Sequence, residues 1–313
     1  MHHVLGKLGG RLDRLIGRFG FSRPQRVSSA ASSITLSSNG EQVSYTLPPS
    51  RKPNRQSTLQ FSIPKCGTVM STGIVRLLAK QEGVKFVSLE SELRSRDERQ
   101  LPAAAQGLFL PSGYCYGGFT SYPLNFDIPI ISRCRSILIV RDPRDMLVSL
   151  YYSMKYSHPL LEGTSQRHRT DFHAGRQYAN EADIDSFVVA VAPTARTWFS
   201  SYARVLDLPT LKVFRYEDVV YRKRQWVEQI CDHFGWSVGR SKRDEIADSF
   251  DVFPNNEERN SHVRQVHPGN FKQKLRQDTV DRIEAELVEE MRIFGYHARA
   301  TAVSNVSGTK VVS

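Results

Sequence analysis

With 313 residues, 40% of them hydrophobic, the chain is long enough for one large domain, and its four cysteines at 66, 115, 134 and 231 form neither a CxxC pair nor a disulfide-rich pattern. The net charge is +11, but residues 1–55 hold nine Lys or Arg against two acids, a balance of +7, so the basicity belongs to an N-terminal arm and argues against a nucleic-acid-binding groove. Reduced thiols predict a cytoplasmic setting, and no apolar run is long enough for a transmembrane span or a secretory h-region.

In chain order, residues 2–20 predict an amphipathic helix, with Val4, Leu5, Leu8, Leu12, Leu15, Ile16 and Phe19 on one face and Lys7, Arg11, Arg14 and Arg18 on the other. Such a helix suits peripheral contact with an anionic membrane surface. The same arm is Arg-rich, Ser-rich and poor in acids, which also fits an organelle transit peptide or a plain basic tail. Residues 22–56 read as a Ser/Pro/Arg-rich linker, with Val43–Leu47 a possible edge strand.

From residue 58 onward the expected elements alternate. They are strand 59–63, helix 67–80, strands 85–89 and 114–119, helix 124–133, strand 136–141 and helix 143–156. Helix 182–205, strand 210–215 and helices 219–234, 242–250 and 278–294 follow. This order predicts an α/β fold, a parallel sheet flanked by helices on both faces. The polar stretch Leu161–Ala182 reads as a loop serving as an acceptor lid, whose Arg167, His168, Arg169, His173 and Arg176 would attract an anionic acceptor or simply be solvated.

Two segments carry phosphate chemistry. In Ser62-Ile63-Pro64-Lys65-Cys66-Gly67-Thr68 a short strand ends in a polar turn and opens a helix, whose free N–H groups can hold an oxyanion beside the Lys65 charge. The order is not that of a Walker A loop, because Lys65 precedes Gly67. In Ile137-Leu138-Ile139-Val140-Arg141-Asp142-Pro143-Arg144-Asp145 a buried strand ends on Arg141, Asp142 is a plausible N-cap and Pro143 the first helical residue, with Ser149 two turns on. Arg141 can grip a phosphate in bidentate fashion. The blander alternatives are an ordinary turn with a surface Lys, and a strand end whose Arg141, Asp142, Arg144 and Asp145 neutralise one another. Together the two segments suggest a ligand with phosphates at two separated positions.

With Phe214-Arg215-Tyr216-Glu217-Asp218, His262-Val263-Arg264 and Pro268-Gly269-Asn270-Phe271-Lys272 added in order, residues 58–296 resemble the sulfotransferase family. The resemblance implies a P-loop-kinase-like fold and transfer of a sulfuryl group from 3'-phosphoadenosine-5'-phosphosulfate (PAPS) to an acceptor hydroxyl on a glycan, lipid or small metabolite. The product would be 3',5'-ADP, and no metal is needed. It assigns Lys65 to stabilising the leaving group, Lys65, Cys66, Gly67, Thr68 and Val69 to the 5'-phosphosulfate, Arg141, Ser149, Arg264 and Gly269 to the 3'-phosphate side, and Tyr216 to the adenine region. It also divides the chain into an arm and linker (1–57), the sulfotransferase domain (58–298) and a disordered tail (299–313).

The chain departs from the family at several positions. Cys66 stands where Ser is usual and is either a small filler or, beside a helix start and Lys65, a redox-sensitive thiol. Met70 occupies a region where an aromatic residue often stacks on adenine, and the late loop keeps Arg264 but loses its usual Lys. The base His of small-molecule members would fall at Phe119, about 22 residues before Arg141. Candidate general bases are therefore Glu90 and Glu92, as in the glycan-modifying branch, or His158. The rival reading is a catalytically inactive protein that binds a 3',5'-bisphosphonucleotide; a nucleotide kinase is a third, disfavoured by the missing Walker A order.

Overall fold

The computed structural model describes residues 33–38, 41–89, 103–157, 166–252 and 266–297. The predicted amphipathic segment 2–20 and the tail 299–313 lie outside these residues.

The strands are β1 (Ser33–Ser38), β2 (Glu41–Thr46), β3 (Thr58–Ser62), β4 (Lys85–Val87), β5 (Tyr114–Phe119), β6 (Ser136–Val140) and β7 (Leu211–Arg215). The helices are α1 (Thr68–Glu82), α2 (Pro143–Tyr152), α3 (Gln166–Glu181), α4 (Ile184–Ser200), α5 (Tyr216–Val219), α6 (Lys223–Phe234) and α7 (Arg240–Ser249). Three more close the described chain: α8 (Phe271–Lys274), α9 (Gln277–Glu286) and α10 (Val288–Ile293).

The main sheet has five strands in the order β4-β5-β3-β6-β7, all parallel. From β3 the chain runs to β4 at one edge, returns through β5 between them, and then crosses to β6 on the other side of β3, so β3 and β6 flank the point where strand order reverses. Ligands in such sheets bind at the carboxyl ends of the strands at this switch point. Phe61 lies opposite Leu138 and Ser62 opposite Ile139, so the turn at Pro64 and the turn at Arg141 leave the sheet side by side.

Hydrophobic alternation packs both faces. Leu138 and Val140 of β6 join Leu59, Phe61, Leu147, Phe199 and Tyr202 on one side. Ile137 and Ile139 join Ile74, Leu78, Phe214, Trp226 and Ile230 on the other. All five residues of β6 are buried, which is why this strand reads as a continuous apolar run.

Several expectations are corrected. Residues 124–133 form turns rather than a helix: Pro129 lacks an N–H and biases Ile128 away from helical geometry, and the turn N–H groups of Ile131, Arg133 and Cys134 reach only Ile128 and Ile130. The expected lid loop at Leu161–Ala182 holds helix α3 over residues 166–181. Its polar composition hid it; Ala179 is nevertheless buried, and Tyr178 stacks on Phe187 at 5.8 Å. The expected helix 143–156 ends at Tyr152 and continues as a π-helical turn over Ser153–Ser157. The expected helix 219–234 divides into α5 and α6, and 278–294 divides at Leu287. Val43–Leu47 contributes to β2, which pairs with β1 in a separate antiparallel hairpin instead of extending the main sheet.

Among the described residues no helix is long and apolar enough to cross a membrane, and no cluster of His, Cys, Asp and Glu could hold a metal ion.

Candidate active site

The turn after β3 is shaped by two left-handed residues. Lys65 has φ 64° and is the only non-glycine residue with positive φ among those described; Gly67 has φ 83°. A β-carbon at Gly67 would stand 3.0 Å from the Tyr216 ring, so the position is closed to side chains by contact as well as by backbone conformation. The Thr68 hydroxyl donates to the Ile63 carbonyl at 3.1 Å and ties the helix start to the strand end. No side chain caps α1, which leaves its first N–H groups open to an oxyanion. The Lys65 ammonium donates to the Ser153 hydroxyl at 2.9 Å, bridging this loop to the end of α2.

The turn after β6 separates its charged residues by role. Asp142 caps α2, accepting the Arg144 N–H at 2.9 Å. Arg144 also pairs through its side chain with Asp142 and with Glu284 of α9, and its guanidinium lies 4.3 Å over the Phe271 ring. Thus mutual neutralisation holds for Arg144 and Asp142. Arg141 is different: it makes no ion pair among the described residues, is 5% exposed, and lies 4.5 Å over the Tyr216 ring with a buried Nε that has no partner.

Tyr216 joins the motifs. Its ring touches Gly67 and Arg141, and its hydroxyl donates to the Val266 carbonyl at 3.0 Å. Glu217 beside it accepts the Asp142 N–H at 2.9 Å and the Tyr296 hydroxyl at 2.8 Å. Burial raises the Glu217 carboxyl above its ordinary range, despite these donors and Arg141. Asp145 accepts the N–H groups of Gly269 and Phe271, fastening the late loop to α2.

The structure therefore gathers Lys65, Cys66, Gly67, Thr68, Arg141, Tyr216 and Gly269 around the switch point. Val69 is exposed and Ser149 half-buried on α2. Glu90, Glu92, His158 and Arg264 lie outside the described residues. The alternative of a redox-sensitive Cys66 is corrected: the residue is fully buried, and burial pushes its thiol far up, outweighing the nearby Arg141 charge. Phe119 is a core residue against Phe61 at 5.2 Å. Sequence reasoning did not single out Ser153, Glu217 or Glu284, and it read Asp145 only as a neutralising partner. Glu217 and Asp145 sit inside quoted motifs, which was the available signal; Ser153 and Glu284 have none.

A family model described as the sulfotransferase domain matches residues 128–293, just over half of the chain. A mouse sulfotransferase complexed with PAP is similar in fold, with 14% identity, 76% of this chain and 84% of that chain covered, and a TM-score of 0.54. A retinol dehydratase in complex with androsterone and inactive cofactor PAP is similar more loosely, with 12% identity, 78% and 83% coverage and a TM-score of 0.47. No curated protein matches the chain.

Proposed function

The chain belongs to the sulfotransferase family and is a PAPS-dependent enzyme, and from that premise we propose how its own residues serve the transfer. The observation that carries the proposal is the convergence of Lys65, the uncapped start of α1 and the Arg141 guanidinium, which makes no ion pair among the described residues, at the β3/β6 switch point. The family match begins beyond the first motif, so the role of Lys65 rests on this geometry and on the resemblance of its loop.

The residues present fit a bisphosphorylated donor. Arg141 keeps a buried Nε without a partner, and Gly67 leaves a cradle that a β-carbon would fill. The N–H groups of Gly67, Thr68 and Val69 would hold the 5'-phosphosulfate, with Lys65 and Cys66 in the same turn. Arg141, Ser149, Arg264 and the Gly269 loop would hold the 3'-phosphate, and Tyr216 would border the adenine. The donor supplies the sulfuryl group, leaving 3',5'-ADP.

Lys65 keeps its ammonium where negative charge builds on the leaving oxygen, and the helix start offers preorganised N–H groups to the same charge. The acceptor is a hydroxyl on a glycan, lipid or small metabolite, and Glu90, Glu92 or His158 takes its proton. No metal enters this scheme. A cytoplasmic setting is supported by four free cysteines. Peripheral membrane contact through residues 2–20 is supported by their sequence pattern alone.

The test is calorimetric binding of 3',5'-ADP and 5'-AMP to the wild type and to Arg141→Ala. We expect clear preference for the bisphosphate, lost in the variant. Equal binding of the two nucleotides by the wild type would overturn the donor assignment.

A further inference from the structure

The pairing of β6 with β7 runs on past the end of the sheet. Val140 lies opposite Arg215, so the next two residues of each strand end stand side by side. Arg141 meets Tyr216, its guanidinium 4.5 Å over the ring, and the Asp142 N–H donates to the Glu217 carboxylate at 2.9 Å. That N–H belongs to the peptide joining Arg141 to Asp142. Whatever holds Glu217 therefore also holds the backbone of Arg141.

The two oxygens of Glu217 are held from different parts of the chain. Oε1 accepts the Asp142 N–H, and Oε2 accepts the Tyr296 hydroxyl at 2.8 Å. A closing turn after α10 brings Tyr296 to this place. Gly295 has φ 73°, and the Tyr296 N–H donates to the Met291 carbonyl at 2.7 Å. The Arg215 guanidinium donates to the Gly295 carbonyl at 3.2 Å and lies 5.7 Å from the Tyr296 ring. Tyr296 is buried, and the family match ends at residue 293, before it.

We propose that Tyr296 is a positioning residue for the donor: through Glu217 it holds the turn that carries Arg141, and so sets the preference for a nucleotide with a 3'-phosphate over one without. The inference deepens the donor reading of Arg141 and rests on it. A guanidinium grips phosphate through directional hydrogen bonds, so a small rotation of its backbone costs affinity. A carboxylate held at both oxygens keeps one orientation. Held at one oxygen, it can rotate and loosen the N–H it accepts. The Tyr296 hydroxyl also favours the charged carboxylate, the better acceptor, against the burial that disfavours it.

The experiment measures binding of 3',5'-ADP and 5'-AMP by calorimetry to the full chain as wild type, Tyr296→Phe, Glu217→Gln and the double variant. Ile128→Val, a core substitution outside the donor turns, controls for a general loss of stability. We expect Tyr296→Phe to weaken 3',5'-ADP by at least about 5-fold and 5'-AMP by less than about 2-fold. Glu217→Gln should do the same, the double variant should be no worse than Glu217→Gln, because both act through one bond, and Ile128→Val should leave the ratio of affinities unchanged. A ratio that Tyr296→Phe leaves intact overturns the inference. So do an equal loss for both nucleotides, additive losses in the double variant, or the same change of ratio in Ile128→Val. Should thermal unfolding show Tyr296→Phe to be unfolded, the ratio in Glu217→Gln decides by the same rule. A wild type that binds the two nucleotides equally overturns the donor reading instead, and the inference falls with it.

Discussion

The Asp145 carboxylate accepts the Gly269 N–H at 2.6 Å, joining the first turn of the helix after β6 to the late loop 124 residues further along the chain. It accepts the Phe271 N–H at 2.9 Å as well, and it is 1% exposed. The loop is held from its other side by Tyr216, whose hydroxyl donates to Val266 two residues beyond Arg264. The stem of the loop is thus fixed by residues of the donor motifs themselves.

Asp145→Asn keeps the shape but weakens two charge-assisted hydrogen bonds, and one of its amide positions now presents a donor to a donor. We expect a loss of roughly 1–3 kcal/mol in stability and a several-fold rise in KM for PAPS with a smaller change in kcat. Denaturant unfolding and initial rates at varied donor concentration check both. A kcat effect larger than the KM effect would show that the loop serves the chemical step instead of donor affinity.

Arg141 and Arg144 should fail in different ways. Arg144→Ala takes the guanidinium away from the buried Asp142 and Glu284 carboxylates and should cost about 3–5 kcal/mol of stability. Arg141→Ala removes a guanidinium that makes no ion pair among the described residues; it should leave stability within about 1 kcal/mol and abolish discrimination between 3',5'-ADP and 5'-AMP. Urea unfolding paired with calorimetry on the two variants separates the roles.

That separation marks what the sequence could show. The apolar run of β6, Asp142 as cap and Pro143 as first helical residue were legible, because buried parallel strands and helix starts leave local signals. Which arginine of the motif faces the ligand was not, since the answer depends on Glu284 lying beside Arg144, a contact made across 140 residues. Helix α3 was missed for a related reason: its few apolar contacts, Ala179 and Tyr178, give no stripe to read. Ser153 meets Lys65 from across 88 residues where α2 gives way to a π-turn, and no residue of Ser153–Ser157 announces that change.

The cysteines should be silent in the native protein. Burial raises all four thiols, to about 12 for Cys115 and about 11 for Cys134 and Cys231, and higher for Cys66. Iodoacetamide at pH 8 should label the folded chain slowly and the unfolded chain at once. A group whose folded pKa lies above its unfolded value lends stability that is full below the unfolded pKa and is lost as pH rises through the folded one. Stability should therefore decline from about pH 9 upward, and part of that decline should disappear in Cys115→Ala. A flat profile over pH 9–11 would contradict the assigned burial.

Lys65 pairs a proposed catalytic role with an unfavourable backbone. At φ 64° a side chain with a β-carbon costs roughly 1 kcal/mol relative to glycine. Lys65→Gly should relieve that cost while losing the hydrogen bond to Ser153 and gaining chain entropy in the unfolded state, so its stability should stay within about 1 kcal/mol of the wild type. The same substitution removes the ammonium from the leaving oxygen and should lower kcat by about 100-fold or more. Lys65→Ala should be equally slow yet less stable than Lys65→Gly, because alanine keeps the β-carbon. Thermal unfolding and rates of the two variants test this order; an active Lys65→Gly enzyme would remove Lys65 from the chemistry.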